Sequence, residues 1–392
     1  MKKIQHYVLN FSAERYLAST GTIKMKSSKV TIIAIAIASY CPFGILAVAA
    51  ESITVGVVAC LSGGCAEWGV ATKNGLELAQ DEINSAGGFK GKRIDLQFED
   101  TNEATSAAQA VTAFRKLRSS NDIHFFIGPS WTPAGLALAP IVGKMPDVVM
   151  ISPSLGVAEF NEAAPNLFNT MMHSETGTRS LARLARERGW KRAGIFSSQQ
   201  PWENLQGKVF RDEFTRLGGE VSALLEPEPN IKDLRTESLR IISSKPDGVF
   251  LANLNQEGIA AKQLRGLGFK GAFYAALLDQ TRIDEAGGAL EGAISAQSPA
   301  AQAGFVSKYN ARFGIKPTAS ADTAYDALIA LDKAIETAGG PEPVAVRDAL
   351  LHVQFQGASG LVKFDDKGGV VRDPSFVVAS ASNITPLKEG IR

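Results

Sequence analysis

From residue 52 onward the chain alternates two apolar rhythms. Short runs of β-branched and apolar residues predict strands over 53–59, 123–127 and 148–151, and the alternation of Ile94 to Phe98 predicts another. Between them, apolar positions recur at helical spacing over 69–86, 104–117 and 133–142. In the first of these helices Val70, Leu76, Leu78, Ala79 and Ile83 fall mainly on one face, and Gly87-Gly88 ends it. The alternation restarts after a segment at 163–174 that carries Pro165 and Asn169. Helices are predicted over 181–187, 205–217, 234–242 and 259–267, and strands over 193–196, 221–225, 249–251 and 272–275. Strand–helix–strand units imply parallel pairing with right-handed crossovers. The expected fold is therefore α/β, with two doubly wound parallel-sheet lobes, a hinge and an interlobe cleft, and 163–174 reads as a crossing segment. Beyond Ser295, helices at 305–313, 322–337 and 344–351 precede two last strands at 360–364 and 376–379. The Gly-Gly-Pro-Glu-Pro stretch at 339–343 is too short to free a domain and reads as a helix-to-helix turn.

One loop draws the pattern together. The run 123–127 breaks at Gly128-Pro129 into Ser130, Trp131 and Thr132, and a new helix follows. In a parallel α/β sheet, ligands sit beyond the carboxyl ends of the strands. The first amides of the next helix lack intrahelical partners and favour an anion. The loop is expected to form one wall of a solute-binding cleft.

Composition narrows the class. The chain has 392 residues, enough for two cores, and a formal net charge of +1. Near neutrality there is no electrostatic reason to expect nucleic acid as a partner. Residues 1–50 are expected to stand outside the fold. Lys24, Lys26 and Lys29 precede an apolar run at 30–38, and Ala47-Val48-Ala49 and Val48-Ala49-Ala50 fit the small-x-small cleavage pattern before Glu51. The apolar stretch is interrupted by Ser39, Tyr40, Pro42 and Gly44, whereas a span needs about 20 continuous apolar residues. A cleaved secretory leader and a periplasmic location follow as expectations, with Met1 and Met25 both open as start. Bulky Tyr40 argues against Cys41 as a lipoprotein cysteine. Cys60 and Cys65 share one loop; in an oxidising compartment they form a disulfide candidate, the alternative being two free thiols in a tight turn. Their spacing, with no Cys- or His-rich segment elsewhere, gives no metal site.

The order of these features resembles the leucine/isoleucine/valine-binding proteins, type I periplasmic solute receptors of ABC importers. The resemblance rests on Ile53-Thr-Val-Gly-Val-Val, Leu61-Ser62-Gly63, Gly69 and Gly75, the stretch from Ala79 to Asn84, and Gly87-Gly88. It continues through Asp100-Thr101, Ile127-Gly128-Pro129 and Ile151-Ser152-Pro153-Ser154 into Gln199-Gln200-Pro201-Trp202 and Val249-Phe250-Leu251-Ala252. It covers essentially residues 52–382. It implies two lobes joined by three crossings, with lobe 1 at 51–170 plus 297–354 and lobe 2 at 171–296 plus 355–392. Hinge closure would trap the ligand, and an ABC permease in the inner membrane would read the closed form.

The resemblance also implies a site. Thr132 falls beside Ser130 where a hydroxyl would meet the ligand's carboxylate; its other reading is a helix N-cap, and the two are compatible. Ser154 and Gly156 fall where backbone groups and a hydroxyl hold the head group, although the family often has a hydroxyl residue where Gly156 stands. Converging hydroxyls and amides suit a carboxylate without a counter-charge. Trp68, Trp131 and Trp202 lie in loops after strands and offer faces for a flat or apolar ligand, while Trp190 follows a helix end and reads as structural. Leu254 stands where the family often has an aromatic. Asp279 is open between receiving an α-ammonium and capping the helix predicted at 281–286. If it caps, the ligand need carry no amino group.

Enzymatic readings find little support. Gly266-Leu-Gly268-Phe-Lys-Gly271 matches G-x-G-x-x-G but follows a helix, the reverse of the dinucleotide fingerprint. No Walker A or G-x-S-x-G sequence occurs, and His124, His173 and His352 are scattered. No cofactor and no catalysis are expected. The leading expectation is a receptor for a hydrophobic or branched-chain amino acid or a related carboxylate. The alternatives are a sensory or regulatory binding module using the same cleft and, further off, a hydrolase on the same scaffold.

Overall fold

The computed structural model describes residues 52–388 other than 105, 255 and 381, so the leader, both start positions and Cys41 lie outside the described residues. The first lobe runs β1 (Ser52–Ala59), α1 (Ala66–Ser85), β2 (Arg93–Asp100), α2 (Ala107–Asn121), β3 (Phe125–Ile127), α3 (Thr132–Val142), β4 (Val149–Ser152), α4 (Ala158–Glu162) and β5 (Leu167–Asn169). Its strands pair in parallel in the order β2-β1-β3-β4-β5. The second lobe continues with α5 (Ser174–Glu187), β6 (Arg192–Phe196), α6 (Pro201–Arg216), β7 (Glu220–Leu225), α7 (Arg235–Ser243), β8 (Gly248–Leu251), α8 (Glu257–Gly266), β9 (Ala272–Ala275), α9 (Gln280–Ala286) and β10 (Ile294–Gln297). The strands from β6 to β10 repeat the parallel order as β7-β6-β8-β9-β10. Both sheets thus reverse direction beside their first strand, and the crevice at such a switch point is where doubly wound folds hold ligands.

The chain then returns to the first lobe. Helices α10 (Ala303–Phe313), α11 (Ala321–Ala338) and α12 (Pro343–Leu350) precede a hairpin of β11 (Gln354–Gly357) and β12 (Gly360–Lys363). Antiparallel β13 (Ser375–Ala379) and β14 (Ile384–Pro386) finish on the edge of the second sheet.

The central strands of each sheet are buried on both faces, which is why they read as unbroken apolar runs, whereas edge strand β2 alternates and is partly exposed. In β1, Val55, Val57 and Ala59 join Leu76, Leu328 and Leu331 from α1 and α11 on one face. Val58 points the other way, to Phe114, Leu138 and Phe126. The second sheet repeats the arrangement: Leu251 and Phe273 face Leu264 and Ile283, and Phe250 and Tyr274 face Leu181, Phe210 and Trp190. Trp190 lies wholly within that second core, 4.5 Å between ring centres from Tyr274.

Three segments cross between the lobes. The first is shorter than 163–174, because 167–169 forms β5, a fifth parallel strand, on β4. The last crossing also starts later than 355. Val362 and Phe364 pack in the first lobe's core, so the β11–β12 hairpin belongs to that lobe and the chain leaves it only after residue 364. The third crossing runs beside the end of β5, where the first crossing begins: the Asn169 amide donates to Gly368 O at 3.0 Å and the Val370 amide to Asn169 O at 3.1 Å.

Candidate functional site

A cavity of about 440 Å³ lies between the two lobes, and all nine residues singled out in the sequence line it. The strand ends explain why. On the first lobe, β3 and β4 each end in a sharp turn that throws the following loop over the sheet edge. Gly128 makes the first turn at φ +120°, where a Cβ would sit 2.0 Å from Val58 O, so only glycine fits. Its amide donates to Ile151 O at 3.0 Å and fixes the two loops side by side. Ser152 Oγ donates to Pro129 O at 2.9 Å, a second tie.

The loop from Ser130 to Thr132 is held from behind. Ser130 Oγ accepts the Cys60 amide at 3.2 Å, and a disulfide joins Cys60 to Cys65 just before Trp68. Glu103, buried behind the loop, accepts the Trp131 amide at 2.5 Å. Burial pushes the Glu103 carboxyl up to about 7, against bonds from Thr101 and from the Trp131 and Ser130 amides. The amide display at this helix start is poorer than anticipated: Trp131 N–H is taken and Pro133 has none. The hydroxyls carry more of the polar character. Trp131, not Thr132, holds the N-cap position of α3, so Thr132 does not cap; its hydroxyl makes no hydrogen bond among the described residues. Ser154 Oγ is buried and also unpartnered. A buried hydroxyl without a partner costs about 1–3 kcal/mol, which marks Ser154 as a donor waiting for an acceptor.

Gly156 has a steric reason. A Cβ there would meet Ser174 Oγ at 2.7 Å and Met172 O at 2.8 Å. The bare backbone lets the first crossing approach, and Ser174 N donates to Gly156 O at 2.7 Å. Ser174 also lines the cavity, and its Oγ accepts from Trp202 Nε1 at 3.1 Å. Trp202 belongs to α6 of the second lobe but packs against the first lobe's Val58–Phe114 core, so the two lobes touch beside the cavity.

The second lobe's wall differs from the sequence reading. Asp279 is the N-cap of α9: its Oδ1 accepts the Arg282 amide at 2.9 Å, and Oδ2 pairs with the Arg282 guanidinium. Arg282 itself lines the cavity, with its side chain only 12% exposed, and its Nε lies 3.5 Å from Glu257 Oε2. Burial pushes the Glu257 carboxyl well above the ordinary range, with Arg282 pulling the other way. Glu203 accepts the Ser198 hydroxyl, and burial raises it to about 7. Leu254 is half-buried, beside Leu277 and Leu278. Asp322, at the start of α11, completes the charged lining.

Arg282, Glu203, Asp322 and Ser174 were not singled out in the sequence. Glu203 had a signal, sitting one residue after Trp202. Arg282 had one too, three residues after Asp279 at i,i+3 on a helix. Asp322 had none, being 168 positions from Ser154.

A model of the periplasmic binding protein family matches residues 52–383. The Leu/Ile/Val-binding protein BraC3 of Rhizobium johnstonii is 27% identical over 222 residues, 55% of this chain but only 58% of that protein. Among solved structures, a leucine binding protein from Thermotoga maritima superimposes with a TM-score of 0.77 at 22% identity, covering 86% of this chain and 98% of that one. A solute binding protein from R. palustris in complex with benzoate gives 0.75 at 20%, covering 86% and 96%. These likenesses establish the two-lobed fold, and membership implies an extracytoplasmic location. By the span of the family match and the architecture together, this chain belongs to the periplasmic binding protein family.

Proposed function

We propose that the protein is the periplasmic receptor of an ABC importer. It captures a hydrophobic or branched-chain amino acid, or a related small carboxylate, by closing two lobes around it. One observation carries the reading: the interlobe cavity is lined by Ser154, whose buried hydroxyl has no partner among the described residues, by Thr132, and by Trp68, Trp131 and Trp202. Its volume is within the range of small-molecule sites. A carboxylate at the hydroxyls gains donors, and an apolar body gains aromatic and aliphatic walls. The relatives agree in chemistry, one named for branched-chain amino acids and one holding benzoate.

Export after removal of the leader, and hand-over to an inner-membrane permease that reads the closed form, complete the proposal. Catalysis does not enter it.

A thermal-shift screen of the secreted protein tests this reading against leucine, isoleucine, valine, phenylalanine and benzoate. A ligand at about 100 times its Kd adds about 2.7 kcal/mol to the folded state. At least one compound is expected to raise the melting temperature by several degrees. A flat response to all five would remove the support for the reading.

A further inference from the structure

Three carboxyl side chains line the cavity: Glu203, Asp279 and Asp322. Two are engaged. Asp279 caps α9 and pairs with Arg282. Glu203 holds the Ser198 hydroxyl in a buried pocket. Among the described residues, Asp322 bonds only backbone amides of its own turn, Thr323 N at 2.9 Å among them. Its place in the fold is specific. Thr323 Oγ1 donates to Pro153 O at 2.5 Å, tying α11 to the loop that carries Ser154. Ser320 Oγ donates to Trp68 O at 3.0 Å, tying it to the aromatic wall. Asp322 and Ser154 are each one residue from that Thr323–Pro153 bond, and both face the same cavity.

An α-amino acid bears its ammonium and its carboxylate on one carbon, so the groups receiving them must be neighbours. Resting on the receptor reading above, we propose that Asp322 receives the ligand's α-ammonium, so that the first lobe reads both charges and the second lobe supplies walls. This makes an α-amino acid, rather than its deaminated counterpart, the preferred ligand class. The carboxyl expected to do this work, Asp279, is already neutralised by Arg282.

The charge surroundings give the sign of the pH dependence. Asp326, one turn along α11, pushes Asp322 up, and Arg372 from the third crossing pulls it down; Glu203, Asp279 and Arg282 lie across the cavity. Burial dominates and raises Asp322 to about 6. Binding an ammonium requires the ionised form. Affinity for the amino acid should therefore be level above neutrality and fall as pH drops below about 6, by up to about tenfold per pH unit.

The test is calorimetric titration at pH 7.5 and 5 of the wild type, Asp322→Asn, Asp322→Glu and Asp279→Asn. The probes are leucine, phenylalanine, 4-methylpentanoate and 3-phenylpropanoate. The wild type is expected to prefer an amino acid over its deaminated partner by about a hundredfold. Asp322→Asn, close in shape, should abolish both that preference and its loss at pH 5, without weakening the deaminated acids. Asp322→Glu should keep part of the preference, and Asp279→Asn should keep most of it. A melting curve establishes that each variant is folded. If the wild type binds the deaminated acids as tightly, or if Asp279→Asn and not Asp322→Asn loses the preference, the assignment is overturned while the carboxylate receptor stands. If none of the four probes binds, the receptor reading falls and takes the assignment with it.

Discussion

Replacing Thr132 and Ser154 together with alanine should cost the protein a hundredfold or more of its ligand affinity without costing stability. Each hydroxyl offers a hydrogen bond to a charged acceptor, worth about 1.5–3 kcal/mol where water is excluded. Two such bonds come to about 3 kcal/mol or more, which is the stated factor. The stability side is argued from the same atoms. Ser154 Oγ is buried with no partner and Thr132 caps nothing, so alanine removes no bond from the described structure. Ser154→Ala should leave the ligand-free melting temperature equal or higher. Calorimetric titration and thermal melting of the double variant check both halves; lost affinity accompanied by a large drop in stability would mean the hydroxyls serve the fold.

The second large effect is a stability that falls as pH rises through neutrality. Glu103 and Glu203 are both buried, and burial lifts each carboxyl from its ordinary 4.5 to about 7. In the unfolded chain they ionise near 4.5; in the folded protein they hold their protons to about 7. Between these values the native state binds more protons, so unfolding free energy declines with rising pH. Each group contributes about 3 kcal/mol to that decline, on the order of 1.36 kcal/mol per pH unit of separation. Glu213 works in the opposite direction, held near 2 by Arg216 and Arg183, but its stabilisation is lost only as pH falls from 4.5 towards 2, below the window concerned. Urea unfolding at pH 5 and pH 8 should show the protein markedly more stable at pH 5. Glu103→Gln with Glu203→Gln should remove part of the difference, the buried carboxyls of Glu257 and Asp322 supplying the rest in the same direction. Equal stability at both pH values in the wild type would show that these carboxyls are not desolvated.

Much of the scaffold was legible because parallel strands announce themselves. A strand buried on both faces is an apolar run, and its carboxyl end is punctuated where the chain must turn over the sheet. Ile127-Gly128-Pro129 and Ile151-Ser152-Pro153 gave both the strand ends and the first-lobe wall. Short strands were harder. β5 has three residues and follows Asn166, whose side chain bonds three carbonyls of the α3–β4 connection, so its sequence resembled a linker. The first turns of α5 carry Gly177 and Thr178, which weaken the helical signal; Gly177 is there because a Cβ would press to 2.0 Å from Ala296 O. The β11–β12 hairpin looked like second-lobe sequence because nothing local says which core a two-residue contact such as Val362 and Phe364 will join.

The charged half of the site was least legible. Asp279 is a helix cap by every local rule, and only the guanidinium of Arg282 shows that it is also neutralised. Asp322 reaches the cavity because α11 returns to the first lobe after a whole second lobe has intervened. Proximity of that kind is set by topology, and no periodicity records it.

The central claim is that one small solute sits between the lobes against three tryptophans, Trp131 at the start of α3 and Trp68 and Trp202 in the first turns of α1 and α6 rather than in loops. Tryptophan fluorescence, followed while the strongest hit of the thermal screen is titrated in, tests it most directly, since Trp68, Trp131 and Trp202 line the cavity and Trp190 is buried in the second core. The account predicts a saturable one-site change at the calorimetric Kd in the wild type, and none in Trp68→Phe/Trp131→Phe/Trp202→Phe, which retains Trp190. A saturating ligand that leaves wild-type fluorescence untouched, or a signal that survives in the triple variant, would contradict it.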